Sequence, residues 1–404
     1  MNTFRFGWVT VILVAACSDN GTNQPSEPTP LRFSSISVAT GVTCGVTSAG
    51  TVYCWGSGAG GIFSGSLRPL QVQSPATLTS VSLNSSPGSA YACGLDGTGA
   101  PYCWGTILVD SDSLVGLGQH PTALPGGVQL TSISAGVRHI CGVTVTHVAY
   151  CWGDFEGGRR GDGTISFDTS AANFEPNVVF GGFEFTQVIA GTVGSCGLTT
   201  QSQAYCWGSN YLGYLGNPDA QLQQNCGLGF PPCALTPVPV AGGHFFDSIS
   251  GSSQHACGVS GSQVFCWGLD DKNQIGTDQS SELCDSLACV TQPFVASAFF
   301  ISLQSVSAGG SSTCAFDTDN VPYCWGDNSF GQIGNNNRPS AVPSLVAGRH
   351  QFTDIAVASD HTCALVRTGE AFCWGSNSDG QLGTGDQTNA NTPIAVVGPA
   401  SPAS

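Results

Sequence analysis

The sequence has little charge and little that favours helices. Only 9% of its 404 residues are charged, against roughly 25% in an average soluble domain. It has a single Met and no periodic runs of Leu, Glu or Lys, so we expect almost no helix in the mature chain. It is instead rich in turn residues, with 55 Gly and 22 Pro. This composition is typical of turn-rich β-structure.

Basic residues are scarce and form no cluster. The chain has 10 Lys and Arg against 26 Asp and Glu, which gives a formal net charge of -16. Because a nucleic-acid backbone is bound mainly through Lys and Arg, we predict no nucleic-acid partner. The acidity is explained by solubility, with a cation-binding face or a basic partner as the alternative.

The N-terminal segment predicts export and a lipid anchor. Its apolar run, residues 6–16, is too short to span a bilayer and is typical of a secretory signal. Because it ends in Ala15, Ala16 and Cys17, it resembles a bacterial lipobox, and we predict residues 1–17 as a lipoprotein signal peptide whose Cys17 carries the lipid. The alternative is an ordinary signal peptide followed by an unrelated cysteine. The polar residues 18–32 predict a flexible tether, and Ser18 resembles the pattern that sorts lipoproteins to the outer membrane of the cell envelope.

A Cys-Trp-Gly triplet recurs seven times and holds seven of the 8 Trp. Its cysteines are 49, 48, 55, 60, 58 and 49 residues apart, and a regular period of this size predicts a solenoid or a propeller. Each unit has three to four short strands, the first made of small residues that suit a crowded propeller axis. We therefore predict an all-β, seven-bladed β-propeller over residues 33–397, followed by a tail, 398–404. We expect residues 33–39 to share one blade with a last strand near 393–397.

The cysteines predict one disulfide in each blade. Every triplet cysteine has a partner nine or ten residues upstream, with a turn between them, so the two face each other across a hairpin. The predicted pairs are Cys44 with Cys54, Cys93 with Cys103, Cys141 with Cys151, Cys196 with Cys206, Cys257 with Cys266, Cys314 with Cys324, and Cys363 with Cys373. Two further local pairs are Cys226 with Cys233 and Cys284 with Cys289. These pairs require an oxidising compartment.

Metal binding is the alternative explanation of the cysteines. A His stands two residues before the first cysteine of three pairs, at His139, His255 and His361. The other four repeats have no His there, and the sequence has no CxxC pair. We therefore predict no metal and no cofactor, and we assign these His to hydrogen bonds at blade junctions.

The repeated tryptophans predict packing between adjacent blades, because a Trp side chain is the largest apolar body in the unit. The Gly that follows permits the turn out of the strand. These residues are Trp55, Trp104, Trp152, Trp207, Trp267, Trp325 and Trp374.

The repeat resembles the regulator of chromosome condensation repeat. The features that carry the resemblance are H-x-C-A-L, then Y/F-C-W-G-x-N, then G-Q-L/I-G, most complete in residues 313–334 and 361–383. This resemblance implies a seven-bladed propeller of about fifty residues per blade. Its nuclear members exchange guanine nucleotide on a small GTPase and bind chromatin, and its secreted bacterial members include a protein inhibitor of β-lactamase. Neither activity is indicated by particular residues of this chain.

Function is expected where the repeats differ, in three expanded connections that follow Gly153, Gly208 and Gly268. Equivalent connections of consecutive blades emerge on one face of a ring, and the two extra cysteine pairs would fix them as one surface. We predict a protein or glycan binding site there. Its candidate anchors are Arg159, Arg160, Tyr211, Tyr214 and Phe230.

An envelope hydrolase or lyase with a loop-built active site is the alternative function. Asp270 with Asp271, and Asp110 with Asp112, are the carboxylate pairs that acid–base chemistry or Ca²⁺ would use, but neither has the spacing of an EF-hand loop. No Gly-rich nucleotide motif precedes a predicted helix. We therefore expect a monomeric binding protein that is not an enzyme.

Overall fold

The computed structural model describes residues 31–57, 65–86, 89–108, 114–154, 156–164, 174–224, 226, 231–251, 253–277, 282–296, 301–336, 338 and 340–399. Cys17, Phe230, Asp110 and Asp112 lie outside these residues, as do most of the tether and the C-terminal tail. Within them the chain forms seven antiparallel sheets, each built from consecutive strands.

The first four blades are four-stranded. In chain order their strands β1 to β16 are Phe33–Ala39, Val42–Thr47, Val52–Gly56 and Ser66–Gln71; Ser82–Ser86, Ser89–Leu95, Pro101–Leu108 and Leu114–Ala123; Leu130–Ala135, His139–Thr144, Ala149–Gly153 and Asn177–Val178; Phe185–Ala190, Gly194–Thr199, Ala204–Ser209 and Cys233–Pro239.

Blades 5 to 7 follow the same plan, except that blade 5 has a fifth strand, in the order β17-β18-β19-β21-β20. Their strands β17 to β29 are Ser248–Gly251, His255–Ser260, Gln263–Leu269, Glu282–Cys284 and Leu287–Val295; Leu303–Gly309, Ser312–Asp317, Pro322–Gly326 and Ser340–Leu345; Phe352–Val357, His361–Val366, Ala371–Gly375 and Ala390–Ala395. The helices of the described residues are three short 3₁₀ turns, Glu156–Gly158, Tyr211–Gly213 and Ala241–Gly243. The predicted all-β, seven-bladed propeller is confirmed.

The Cys-Trp-Gly triplet lies in the third strand of each blade. All seven predicted cysteine pairs are disulfides between directly opposed residues of the second and third strands, with Cα atoms 4.1 Å apart for Cys44 and Cys54. The seven Trp are fully buried, and Trp374 packs against Phe316 and Ile333 of the preceding blade. The triplet glycines have φ between 90° and 110°, and a Cβ on Gly375 would lie 2.5 Å from the backbone oxygen of Asp360.

The first strands of the blades surround the axis and are joined by side chains. The Ser134 hydroxyl of blade 3 accepts a hydrogen bond from the Ala190 amide of blade 4, 2.9 Å away. Blade 4 has Ile189 in place of Ser134, and at its junction with blade 5 the side-chain amide of Gln187 donates to the Ile249 backbone oxygen, at 2.8 Å. Serine hydroxyls in these first strands therefore accept hydrogen bonds from backbone amides in the first strand of the neighbouring blade.

The ring does not close by strand exchange, so the sequence-based expectation of a shared blade is wrong. β1 belongs to the sheet of β2 to β4, and β29 belongs to the sheet of β26 to β28. Blades 7 and 1 are instead two complete sheets that contact each other. One of these contacts is a hydrogen bond from the Phe33 amide to the Gly369 oxygen, at 2.8 Å.

Candidate functional site

The expanded connections lie on one face of the ring, which we call the loop face. In blades 1 and 3 to 7 the residue after the triplet is hydrogen-bonded to the turn between the first two strands of its blade; for example, the Ser209 amide donates to the Val193 oxygen at 3.0 Å. The turns between second and third strands lie at the opposite ends of the strands, on what we call the turn face. Antiparallel pairing thus places all the connections after the triplets on the loop face.

The connections between the third and fourth strands of blades 3 and 4 contact each other directly. The Gly157 amide donates to the Cys226 oxygen at 3.0 Å, and the Gly163 amide donates to the Leu235 oxygen at 3.0 Å. Cys226 is itself bonded to Cys233, the first residue of β16. The blade 3 connection is therefore held against a disulfide-bonded segment of blade 4.

The connections after blades 4 and 5 are packed together as well. Leu212 is 1% exposed and forms an apolar cluster with Leu269 and Cys289 of blade 5. Cys289 is bonded to Cys284 across the β20–β21 hairpin. Both extra disulfides form as predicted, and the three expanded connections make one continuous surface within the described residues.

Arg159 and Tyr214 have a structural position that the sequence analysis did not recognise. Both stand eight residues after the triplet cysteine, where the later blades have Gln274, Gln332 and Gln381. The backbone oxygen at this position accepts a hydrogen bond from the triplet Trp of the next blade. The bonds are Trp207 Nε1 to Arg159 O at 2.9 Å, Trp267 Nε1 to Tyr214 O at 3.0 Å, Trp325 Nε1 to Gln274 O at 2.9 Å, and Trp374 Nε1 to Gln332 O at 2.8 Å.

This position buries the side chains that we expected to contact a ligand. Tyr214 is fully buried, so its expected exposure is wrong, and burial raises the pKa of its hydroxyl. Arg159 is 5% exposed. Its Nη1 atom is 3.0 Å from the Asp154 carboxylate. Burial raises the pKa of Asp154, while the Arg159 charge opposes that rise.

Arg160 occupies a slot that is aliphatic in the other described repeats. The residues nine positions after the triplet cysteine in blades 4 to 7 are Leu215, Ile275, Ile333 and Leu382, all fully buried. Arg160 is 7% exposed, and its Nη2 atom lies 2.8 Å from Asp162 Oδ2. Of the predicted anchors that the structure describes, Tyr211 is the one that is half-buried at the surface.

Apolar residues that the sequence analysis missed are exposed on the loop face. They are Leu283, 77% exposed, and Leu287, 39% exposed, in the blade 5 hairpin, and Phe330, 47% exposed, in the blade 6 connection. The sequence signal is a Leu on each side of the segment Cys284-Asp285-Ser286, next to a local pair of cysteines.

The three His that precede cysteine pairs form hydrogen bonds between blades. His139 Nε2 lies 2.6 Å from Ser195 Oγ, and His255 Nε2 lies 2.9 Å from Thr313 Oγ1. Because the Thr313 hydroxyl donates its one proton to the Gln274 oxygen, the His255 Nε2 must be the donor to it. Burial lowers the pKa of His139 to about 3 and that of His255 to about 4.

Thr43, His361 and Asp360 resemble a catalytic triad in distance only. His361 Nε2 is 2.8 Å from Thr43 Oγ1, and its Nδ1 is 2.9 Å from Asp360 Oδ1. The Thr43 hydroxyl donates to the Gln381 oxygen, so Nε2 donates to Thr43 and has no lone pair to take its proton. Thr43 and His361 are fully buried, and the same pair recurs without an acid at His255 and Thr313. The arrangement joins blade 7 to blade 1.

A cavity of about 170 Å³ opens at the axis, lined by residues of all seven blades. Its hydrogen-bonding side chains are those of Thr40, Ser82, Asn84, Ser134, Ser253 and Ser359. None of the lining residues that the structure describes is titratable.

Asp270 and Asp271 do not form a carboxylate pair over a cavity. Asp270 is 5% exposed and its Oδ1 accepts the Ile275 amide at 3.0 Å. Asp271 Oδ1 accepts from the Gln274 side chain at 3.2 Å. Over the described part of the chain no group of three or more His, Cys, Asp or Glu side chains could hold a metal ion, and no helix is long and apolar enough to cross a membrane.

Comparison with known proteins agrees with the repeat architecture. Models of the regulator of chromosome condensation (RCC1) repeat match residues 304–332 and 352–381, and residues 322–365 and 368–402. The human X-linked retinitis pigmentosa GTPase regulator is 29% identical over 164 residues, which are 38% of this chain and 14% of that protein. The chain thus spans about a seventh of that relative's length.

Solved structures show the same fold. Human WBSCR16 superposes with a TM-score of 0.69 at 19% identity, covering 84% of this chain and 86% of that one. Prp20p from Saccharomyces cerevisiae superposes with a TM-score of 0.68 at 19% identity, covering 92% and 87%. The chain therefore folds as a seven-bladed β-propeller, and within residues 304–402 it matches models of the RCC1 repeat.

Proposed function

We propose that the protein is a lipid-anchored, extracytoplasmic scaffold that binds another protein through its loop face and performs no chemistry of its own. The observation that carries this proposal is the packing of consecutive expanded connections. Gly157 bonds to Cys226, and Leu212 packs on Cys289, so the connections of blades 3, 4 and 5 are presented as one preorganised surface. Preorganisation favours binding because less conformational freedom is lost in the complex.

The disulfides support the proposed compartment. The described residues contain nine disulfides, one inside each blade and two in the loop-face connections. Disulfides in such number are typical of proteins outside the reducing cytoplasm.

The path of the chain supports display of the loop face away from an anchor. Arg32 forms an ion pair of 3.0 Å with Glu370, and Phe33 bonds to Gly369 in the blade 7 turn. These residues lie on the turn face. A tether that leads from Cys17 to Arg32 would therefore hold the turn face toward the membrane and leave the loop face available to a partner.

The fold neighbours are consistent with a protein partner. Prp20p is described with binding to Gsp1p and histones, and yeast RCC1 is seen bound to Kap60. Large exposed apolar side chains on the loop face, Leu287 and Phe330, are suited to contact with a protein.

Photo-crosslinking in the producing cells tests the proposal. A photoreactive residue is placed singly at Leu287 or Phe330 on the loop face, and at Val145 or Phe245, which are exposed on the turn face. We expect a discrete protein adduct from the loop-face positions. Adducts from the turn face alone, or none from Leu287 and Phe330 while the chain is exported and folded, would contradict it. Cys17→Ser should release the protein from the membrane fraction.

A further inference from the structure

Blade 5 differs from the other blades by a projecting hairpin. Its fifth strand, β20, pairs with β21 through a two-residue turn, Asp285 and Ser286. Both turn residues have positive φ, 48° and 72°, as a two-residue hairpin turn of type I′ requires. The Cys284–Cys289 disulfide crosses the hairpin beside this turn.

The hairpin is supported from the neighbouring blade. Cys289 rests on Leu212, which is itself at φ 56°. Gly213 approaches so closely that a Cβ there would lie 3.0 Å from the Thr291 Cα. The hairpin is thus fixed by its own disulfide and by the blade 4 connection beneath it.

The outer edge of β20 is unpaired among the described strands. Cys284 and Leu287 close the two-residue turn, so the backbone N–H and C=O of Leu283 point away from β21. The Leu283 side chain is 77% exposed, the highest value among the large apolar side chains that the structure describes. Among the described residues, a backbone donor and acceptor without a partner therefore lie beside an exposed apolar side chain, as at edges that receive an added strand.

The charges around this edge are acidic. Glu282 and Asp285 are exposed on either side of Leu283, and Asp271 is exposed in the same connection. Lys272 is the sole Lys or Arg among the described residues of the connections after blades 4 and 5. A bound segment with Lys or Arg next to its apolar residue would match this distribution.

We propose that β20 is the docking edge for an extended protein segment in which an apolar side chain is flanked by Lys or Arg. The segment adds a strand beside Leu283, places its apolar side chain against the Leu283 side chain, and meets the Glu282 and Asp285 carboxylates with its cationic groups. This inference rests on the proposed binding function and names the partner's chemistry and its first contact.

A displayed library of random peptides, selected on the full folded protein, tests the inference. We expect the enriched peptides to combine an apolar residue with flanking Lys or Arg, and one of them, synthesised, to bind more weakly as NaCl is raised. Leu283→Ser should weaken its binding about tenfold or more, and Glu282→Lys with Asp285→Lys should do the same. Val145→Ser is the matched control, because Val145 is 76% exposed on the turn face.

Several outcomes of the peptide selection would contradict the hairpin inference. Enrichment of acidic peptides, absence of any enrichment, or peptides that bind Leu283→Ser as tightly as the wild-type protein would each overturn the hairpin inference. If the cellular partner still crosslinks at Phe330 in the Leu283→Ser protein, the proposed scaffold function stands while the hairpin inference fails. Self-association through β20 or selective binding of an anionic glycan in place of peptide would also refute it.

Discussion

The indole Nε1 of Trp374 donates a hydrogen bond to the backbone oxygen of Gln332, 2.8 Å away, across the junction of blades 6 and 7. Each triplet Trp from blade 4 to blade 7 is tied in this way to the connection of the preceding blade. The connections of blades 3 to 6 are thus hydrogen-bonded to the core of the next blade, whatever side chain stands at the accepting position.

The hydrogen bond of the indole N–H predicts that Trp→Phe substitutions in different blades lower the free energy of unfolding by different amounts. Trp374 and Trp55 are both fully buried, but among the described residues Trp55 Nε1 has no hydrogen-bond partner. Trp374→Phe should therefore lower the free energy of unfolding by about 1 kcal/mol more than Trp55→Phe. Urea titrations of the two variants measure the difference, and equal losses would contradict the assigned role of the indole N–H.

The pattern also explains where sequence reasoning succeeded and where it failed. The disulfides and the buried Trp followed from repetition, because a feature present in every blade serves the fold. Tyr214 was misjudged because its position works through a backbone oxygen, which leaves the side-chain type free to vary. Counting eight residues from each triplet cysteine would have aligned it with Gln274 and Gln332 and predicted its burial.

Two further features, the ring closure and the edge strand at Leu283, could not be predicted from strand patterns in the sequence. Ring closure between blades 7 and 1 uses side-chain contacts of Asp360 and His361 that no strand pattern reports. The docking edge at Leu283 lies in a strand of three residues, too short for alternation to be recognised. The loop face as a whole was predictable, since equivalent connections of a ring must share one side.

The buried His predict a loss of stability in acid. The native pKa of His255 is about 4 and that of His139 about 3, both below the ordinary value near 6.5. The unfolded chain therefore takes up these protons first. Above about pH 6.5 neither state binds these protons, and the free energy of unfolding does not depend on the two His. Below that pH it falls by about 1.4 kcal/mol per pH unit for each His, until the pH reaches the native pKa.

Urea unfolding of the wild-type protein and of His255→Gln at several pH values between neutral and mildly acidic measures this contribution. The variant should show a slope shallower by about 1.4 kcal/mol per pH unit. Thr313→Ser, which keeps the hydroxyl that His255 contacts, should retain the wild-type slope. Parallel curves for His255→Gln and wild type would refute the assignment.

The contacts of Asp360 predict that its removal destabilises the junction of blades 7 and 1. Burial alone would raise its pKa, but the His361 charge and hydrogen bonds from His361, Gln381 and Gly41 outweigh burial and lower it. Asp360→Ala removes the acceptor of the Gly41 amide, 3.1 Å away, and leaves His361 Nδ1 without its carboxylate partner. We expect a loss of about 3 kcal/mol in the free energy of unfolding.

Gln254 is the matched control for Asp360, because it precedes His255 as Asp360 precedes His361. Gln254→Ala should cost less than about 1 kcal/mol. Similar losses in the two variants, measured by thermal unfolding at neutral pH, would show that Asp360 has no special part in joining blade 7 to blade 1.

Hydrogen–deuterium exchange of the loop-face amides tests the central claim, rigid display of consecutive connections, most directly. We predict that the amides of Gly157, Gly163 and Gly213, each hydrogen-bonded, exchange slowly in the wild-type protein. Cys284→Ser with Cys289→Ser should speed exchange at Gly213 while the amides of β27 stay protected. Fast exchange of these three amides in the wild-type protein would contradict the account.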